Sequence, residues 1–242
     1  MTILKNNFTI VEKEEKVRYI MRIRRKKHLE ERLELVKEYL IVPDRDIVNV
    51  TEAVKNKKYF NFCDIFKNSN PTEMEIGCGK GGFIVELAKK NPNVNYIAVE
   101  LLENIIVMAA ERAKAEGLTN VKFVNTGAEY LPRYIKDGSI SNIYLNFSPP
   151  YPKDGYESRR LTCDRFVRSY KQFLPVGGCV FQKTDDQPFL TYSFGKFKEH
   201  GFLVIDNSAD VNSGKIFNVQ TEYERKFRAL GMCVYSLKAE RV

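Results

Sequence analysis

A chain of 242 residues with 43 % hydrophobic content is long enough for one domain with its own core and an extension. Its formal net charge of +8 and pI near 9.1 favour a polyanionic partner. Only two histidines are present, His28 and His200, which argues against a His-based zinc site and a Ser–His–Asp triad.

Five cysteines, at 63, 78, 163, 179 and 233, form no C-x-x-C pair, as expected of free thiols in a reducing compartment. The first residues lack an apolar leader, and no apolar run approaches the ~18 residues of a membrane span. A cytoplasmic protein is expected.

Residues 1–70 read as a basic, partly helical extension, and 71–242 as the main domain. The stretch VRYIMRIRRKKHLEERLELVKEYL carries a cationic block, Arg22-Ile23-Arg24-Arg25-Lys26-Lys27. Positive charges cluster there while the acids follow later, so an arm that binds phosphates is expected over a solvated helix face. His28 reads as an exposed residue.

From Pro71 the pattern alternates strand and helix. PTEMEIG predicts a strand and GFIVELAKKN an amphipathic helix. VNYIAVE is a second strand, and ENIIVMAAERAKAEGL a long helix closed by Gly117. VKFVNTG and SNIYLNF are the third and fourth strands. DRFVRSYKQFL is a helix, and Gly177-Gly178 turn the chain into the strand CVFQKT. PFLTYSFGKFKEHG is a helix capped at Gly201, so His200 before it needs no chemistry. GFLVIDNS and GMCVYSLKAE are late strands with no full helix between them, which predicts an antiparallel edge. The expected fold is α/β, a doubly wound, mostly parallel sheet of seven strands.

The sharpest local motif is Glu75-Ile76-Gly77-Cys78-Gly79-Lys80-Gly81-Gly82, which follows the first strand and opens the first helix. Gly77 and Gly79 let the backbone bend and approach a ligand. Cys78 reads as a small filler. Glu100 ends the second strand, where a carboxylate can accept both ribose hydroxyl protons. A dinucleotide fits such a turn too, but Glu75 would repel a pyrophosphate. It suits the cationic methionine part of S-adenosylmethionine.

The later motifs are more specific. The tracts EIGCGKGGFIVELAKKNPNVNYIAVE and NIYLNF-x-x-P-x-PK stand with Arg159-Arg160-Leu161-Thr162, Lys183-Thr184-Asp185 and Thr221-Glu222-Tyr223-Glu224. From about Tyr19 to its end the chain resembles the bacterial tRNA (guanine-N7)-methyltransferases, with Met21-Arg22-Ile23-Arg24 similar to their basic N-terminal segment. The resemblance implies an S-adenosylmethionine methyltransferase fold of Rossmann-like type. It also implies methylation of N7 of guanine 46 in the tRNA variable loop, with tRNA as partner and no metal.

By the same resemblance, Glu75, Gly77, Gly79, Glu100, Gly127 and Ala128 contact the donor. Lys153, Asp185, Thr221, Glu222, Tyr223 and Glu224 contact the substrate. Read locally, Thr221 and Glu224 also form a capping box at a helix start.

Two positions depart from the family pattern. Pro149 stands where the family carries the acid assigned the catalytic role, so the catalytic residue is left open. Gly127 stands where the family carries an Asp beside the donor's adenine, and Glu129 is two residues away. Ser148-Pro149-Pro150-Tyr151 instead resembles the motif of enzymes that methylate an exocyclic amine. That chemistry, and a family paralogue that binds donor or RNA without turnover, stand as alternatives.

Overall fold

The structure is a computed structural model. It describes residues 26–44, 46–47, 49–208 and 219–242, save the side chains of 206–208, 222 and 227. Met21 and Arg22 to Arg25, the latter most of the cationic block, lie outside the described residues.

Eight strands form one sheet: β1 (Leu40–Ile41), β2 (Thr72–Ile76), β3 (Asn95–Glu100), β4 (Val121–Asn125), β5 (Asn142–Asn146), β6 (Cys179–Thr184), β7 (Phe202–Ser208) and β8 (Tyr235–Arg241). Their order is β1-β4-β3-β2-β5-β6-β8-β7. β1 to β6 pair in parallel, and β8 pairs antiparallel with both β6 and β7. The chain thus walks from β2 out to β4, then returns to the other side of β2 as β5. That reversal opens a crevice at the carboxyl ends of β2 and β5.

The central strands are buried on both faces, as parallel strands covered by helices must be. Met74, Ile76, Ile97 and Val99 point into one core. Tyr96, Ala98, Val121 and Phe123 point into the other. Helices α4 (Gly82–Lys90) and α5 (Glu103–Ala115) cover the second core. α6 (Leu131–Tyr134), α7 (Asp164–Phe173) and α8 (Gln187–Glu199) cover the first. Gly117, at φ 65, ends the turn after α5, where a left-handed residue closes a helix. α8 ends at His200, whose Nε2 lies 2.9 Å from Asp164 Oδ1. No helix among the described residues is long and apolar enough to cross a membrane.

The strand count corrects the expectation of seven. The eighth, β1, is a two-residue strand that aligns Leu40 with Phe123 and Ile41 with Val124. Its apolar run stops at Pro43, which biases the preceding residue to an extended backbone. Within the stretch 17–40, part of the extension expected to be partly helical, the described residues form α1 (Leu29–Leu35) and a 3₁₀ turn at Lys37–Tyr39.

The stretch before residue 70 also supplies α2 (Val50–Lys55) and α3 (Phe62–Phe66). It contributes Leu29, Val36 and Tyr39 to one core and Phe66 to the other. Arg32 forks onto Glu111 through Nε and Nη2, each at 2.6 Å, and Arg133, 1 % exposed, reaches Asp46 at 2.8 Å.

Candidate functional site

The turn after β2 is pinned to its neighbour. The N–H groups of Gly77 and Cys78 both donate to the Val99 carbonyl, at 2.8 and 3.0 Å. Gly77 has φ 81 and Gly79 φ 55, the left-handed region that favours glycine. A Cβ added at either position would meet no atom within 4 Å, so the turn borders open space.

Glu100 closes the turn: its Oε2 accepts the Gly79 N–H at 3.2 Å and its Oε1 the Leu102 N–H at 3.0 Å. Burial raises its carboxyl above the ordinary range, against the pull of those N–H groups. Asn125, the last residue of β4, donates to the carbonyls of Glu100 and Leu101 and so ties the neighbouring strand ends together.

Glu75 stands on the same side of the sheet as α4, across the crevice from β5. The residue is 2 % exposed. Oε1 accepts from Asn146 Nδ2 at 2.8 Å, while Oε2 has no hydrogen-bond partner. Burial pushes its pKa to about 8; the Asn146 hydrogen bond opposes that rise and the nearby Glu100 adds to it. One step down the strand, Glu73 accepts from Asn142 at 2.7 Å and from the Tyr144 hydroxyl at 2.8 Å. Cys78 is buried, and burial drives its thiol well up, so it fills space as a protonated group.

The proline corner holds two aromatic residues in left-handed conformations, Phe147 at φ 50 and Tyr151 at φ 44. Bulky residues rarely adopt that region, and such strain gathers at functional sites. The Phe147 N–H donates to the Lys183 carbonyl at 2.8 Å. Ser148 is buried and its Oγ has no partner, while Pro149 is exposed. Arg160 fixes the far side of the corner, donating to the carbonyls of Pro150 and Tyr151, each at 3.0 Å. Its guanidinium also lies 4.4 Å from the Tyr192 ring centroid. Lys153 is exposed beside the corner.

Next to β5, Lys183 points to the same face as Asn146, its partner in register. Its ammonium is buried and lies 2.9 Å from Glu224 Oε2 and 3.0 Å from the Val219 carbonyl. Glu224 sits in α9 (Glu222–Ala229), and its Oε1 accepts from Arg228 at 3.1 Å. Thr221 caps this helix by accepting the Glu224 N–H at 2.8 Å. The reciprocal half of the expected capping box is replaced: the Glu224 carboxylate turns to Lys183 and Arg228, because an unpaired buried ammonium would cost more. Tyr223 stacks on Phe147 with centroids 5.9 Å apart. Asp185 is exposed at the end of β6. The Glu222 side chain lies outside the described residues.

Glu75, Gly77, Gly79 and Glu100 therefore gather at one crevice. Gly127 and Ala128 follow β4, one strand beyond Glu100. Thr221, Tyr223 and Glu224 dock at the ends of β5 and β6, with Lys153 and Asp185 at the exposed rim. Sequence reasoning assigned no role to Asn146, Asn125, Arg160 or Lys183. A polar residue closing an apolar strand was the available signal for Asn146 and Asn125. Lys183 was singled out only as part of the motif Lys183-Thr184-Asp185, and its charge within the apolar strand CVFQKT was the available signal for a buried role.

Residues 69–237 match the model of a family described as putative methyltransferases. A tRNA (guanine-N(7)-)-methyltransferase of Streptococcus thermophilus (strain CNRZ 1066) is 37 % identical over 221 residues, 91 % of this chain and 99 % of that protein. One of Bacillus subtilis (strain 168) is 41 % identical over 177 residues, 73 % of this chain and 83 % of that protein. Among solved structures, the 16S rRNA methyltransferase KamB superposes with a TM-score of 0.59 at 14 % identity, covering 76 % of this chain and 95 % of its own. TrmN from Thermus thermophilus superposes at 0.53 and 21 % identity, over 80 % of this chain and 48 % of its own. At such identities these two likenesses concern the fold alone.

Proposed function

The chain belongs to the tRNA (guanine-N(7)-)-methyltransferase family, and from that premise we propose that it methylates N7 of a guanine in the variable loop of tRNA, with S-adenosylmethionine as donor. The observation that carries the donor site is Glu75, a buried carboxyl with one oxygen unpartnered beside an open glycine turn. Such an acceptor suits a ligand's ammonium group. Glu100, already holding the turn through two N–H groups, has lone pairs left for ribose hydroxyls. When bound, the donor supplies an electrophilic methyl group on a positively charged sulfur.

The chain's own task is then geometric. Guanine N7 carries an in-plane lone pair and no proton, so no general base is required, in keeping with Pro149 at the corner. A carboxylate at the base end of the crevice, such as Asp185 at its rim, would favour the positive charge that the base gains. Arg160 and the Phe147–Tyr223 stack hold the corner where the base must lie. Lys153 and Asp185 serve at its rim as phosphate and base-edge contacts. The basic stretch before residue 71 acts as an extension that grips tRNA phosphates; where it enters the described structure, the Lys26 N–H donates to Asn104 of α5. A tRNA substrate supports the expectation of a cytoplasmic protein.

The test is incubation with donor and unmodified tRNA, followed by nucleoside mass spectrometry. The expected product is 7-methylguanosine. An amine-methylated base, or no methylated base at all, would overturn the reading.

A further inference from the structure

Glu75 on β2, Glu100 on β3 and the segment after β4 follow one another along the carboxyl edge, because these strands are hydrogen-bonded neighbours. A donor with its ammonium at Glu75 and its ribose at Glu100 carries its adenine on to the end of β4. This step rests on the donor site described above. The surroundings there suit a flat heterocycle: Leu101, apolar and 61 % exposed, stands next to Glu100.

Gly127 is unusual at this spot. Its φ is −76, so no left-handed backbone calls for glycine. The space of its missing side chain is filled instead. A Cβ built on residue 127 would stand 2.7 Å from Cδ and from both carboxylate oxygens of Glu129, closer than real Cβ contacts come. The Glu129 carboxylate thus folds over Gly127, and a side chain at 127 and this carboxylate exclude each other. The Glu129 carboxylate has no hydrogen-bond or ion-pair partner among the described residues.

We propose that Glu129 is the acceptor for the exocyclic amine of the donor's adenine, with its carboxylate standing where a side chain of residue 127 would otherwise be. The 6-amino group offers two N–H donors and a carboxylate is purely an acceptor, so the pairing is charge-assisted. Glycine at 127 is what lets a carboxylate from two residues on reach that place.

The experiment compares dissociation constants of S-adenosylhomocysteine and its 6-oxo counterpart by calorimetry. The 6-oxo form presents a carbonyl in place of the amine. Wild type is expected to favour the amino form by roughly ten- to a hundredfold, the range of one charge-assisted hydrogen bond. Glu129→Ala should shrink that preference to below about threefold, and Gly127→Asp combined with Glu129→Ala should restore most of it. Melting temperatures check that each variant is folded. A Glu129→Ala protein that keeps the full preference overturns the inference, and so does a wild type that binds both forms alike. A wild type that binds neither compound overturns the donor site itself, and the inference with it.

Discussion

Replacing Glu75 with Gln should stabilise the free protein at alkaline pH and weaken donor binding, two effects of opposite sign. In the folded chain the Glu75 carboxyl is raised from 4.5 to about 8, chiefly by burial. An acid raised in this way binds its proton more tightly folded than unfolded. Its effect on stability is therefore nil below the unfolded value and grows unfavourable as pH rises from 4.5 to about 8. The full shift corresponds to roughly 3–5 kcal/mol, at about 1.4 kcal/mol per pH unit.

Gln keeps the acceptor for Asn146 and carries no charge to desolvate. Its melting temperature should thus exceed that of wild type by roughly 5–15 °C at pH 8.5 and by little at pH 5. Donor binding works in reverse. An ammonium at Glu75 draws off the proton, so donor affinity should rise between pH 6 and 7.5 in wild type, with proton release visible by calorimetry in buffers of different ionisation enthalpy. The variant should lose that release and bind at least about tenfold more weakly. Melting curves that run parallel for both proteins from pH 5 to 8.5 would refute the burial argument. Unchanged donor affinity would refute the ammonium assignment.

The Lys183–Glu224 pair makes a second prediction: Lys183→Met leaves a buried carboxylate short of its main partner and should cost about 3–5 kcal/mol in urea unfolding, while adding Glu224→Leu should recover most of it. Equal stability of the single and double variants would mean that the pair is not a desolvated unit. At the proline corner, Ser148→Ala should cost under about 1 kcal/mol, since its Oγ has no partner, and leave N7 methylation nearly unchanged. Pro149→Asp should raise N7 methylation modestly by steadying the donor. An amine-methylated nucleoside that Ser148→Ala eliminates would show that the corner acts on an exocyclic nitrogen.

The glycine turn and its two carboxylates were legible because backbone chemistry wrote them into the sequence: left-handed positions call for glycine, and acids closing apolar strands stand out. The alternation of strands and helices was legible from periodicity, down to Gly117 as a helix stop. β1 escaped notice because Leu40–Ile41 continues the apolar pattern of the charged stretch before it, and a two-residue strand has no period of its own. The burial of Glu224 could not be read at all. Its partner Lys183 is 41 residues away, and a Glu in the first turn of a helix has a sufficient local explanation in the capping box. Asn146 was hidden for a similar reason, since its value lies in facing Glu75 across 71 residues of chain.

The pleat of the sheet serves this protein as a ruler. Glu75, Asn146 and Lys183 stand on one face of three adjacent strands, β2, β5 and β6, each spaced about 4.8 Å from the next. The Glu75 carboxylate and the ammonium anchoring α9 are thereby held a fixed two strands apart, whatever the loops between them do. A deletion of one residue within β5 would turn Asn146 to the opposite core and break the scale. Insertions in the exposed 154–159 turn leave it intact, so length variation among such chains is free to accumulate there and not in the strands.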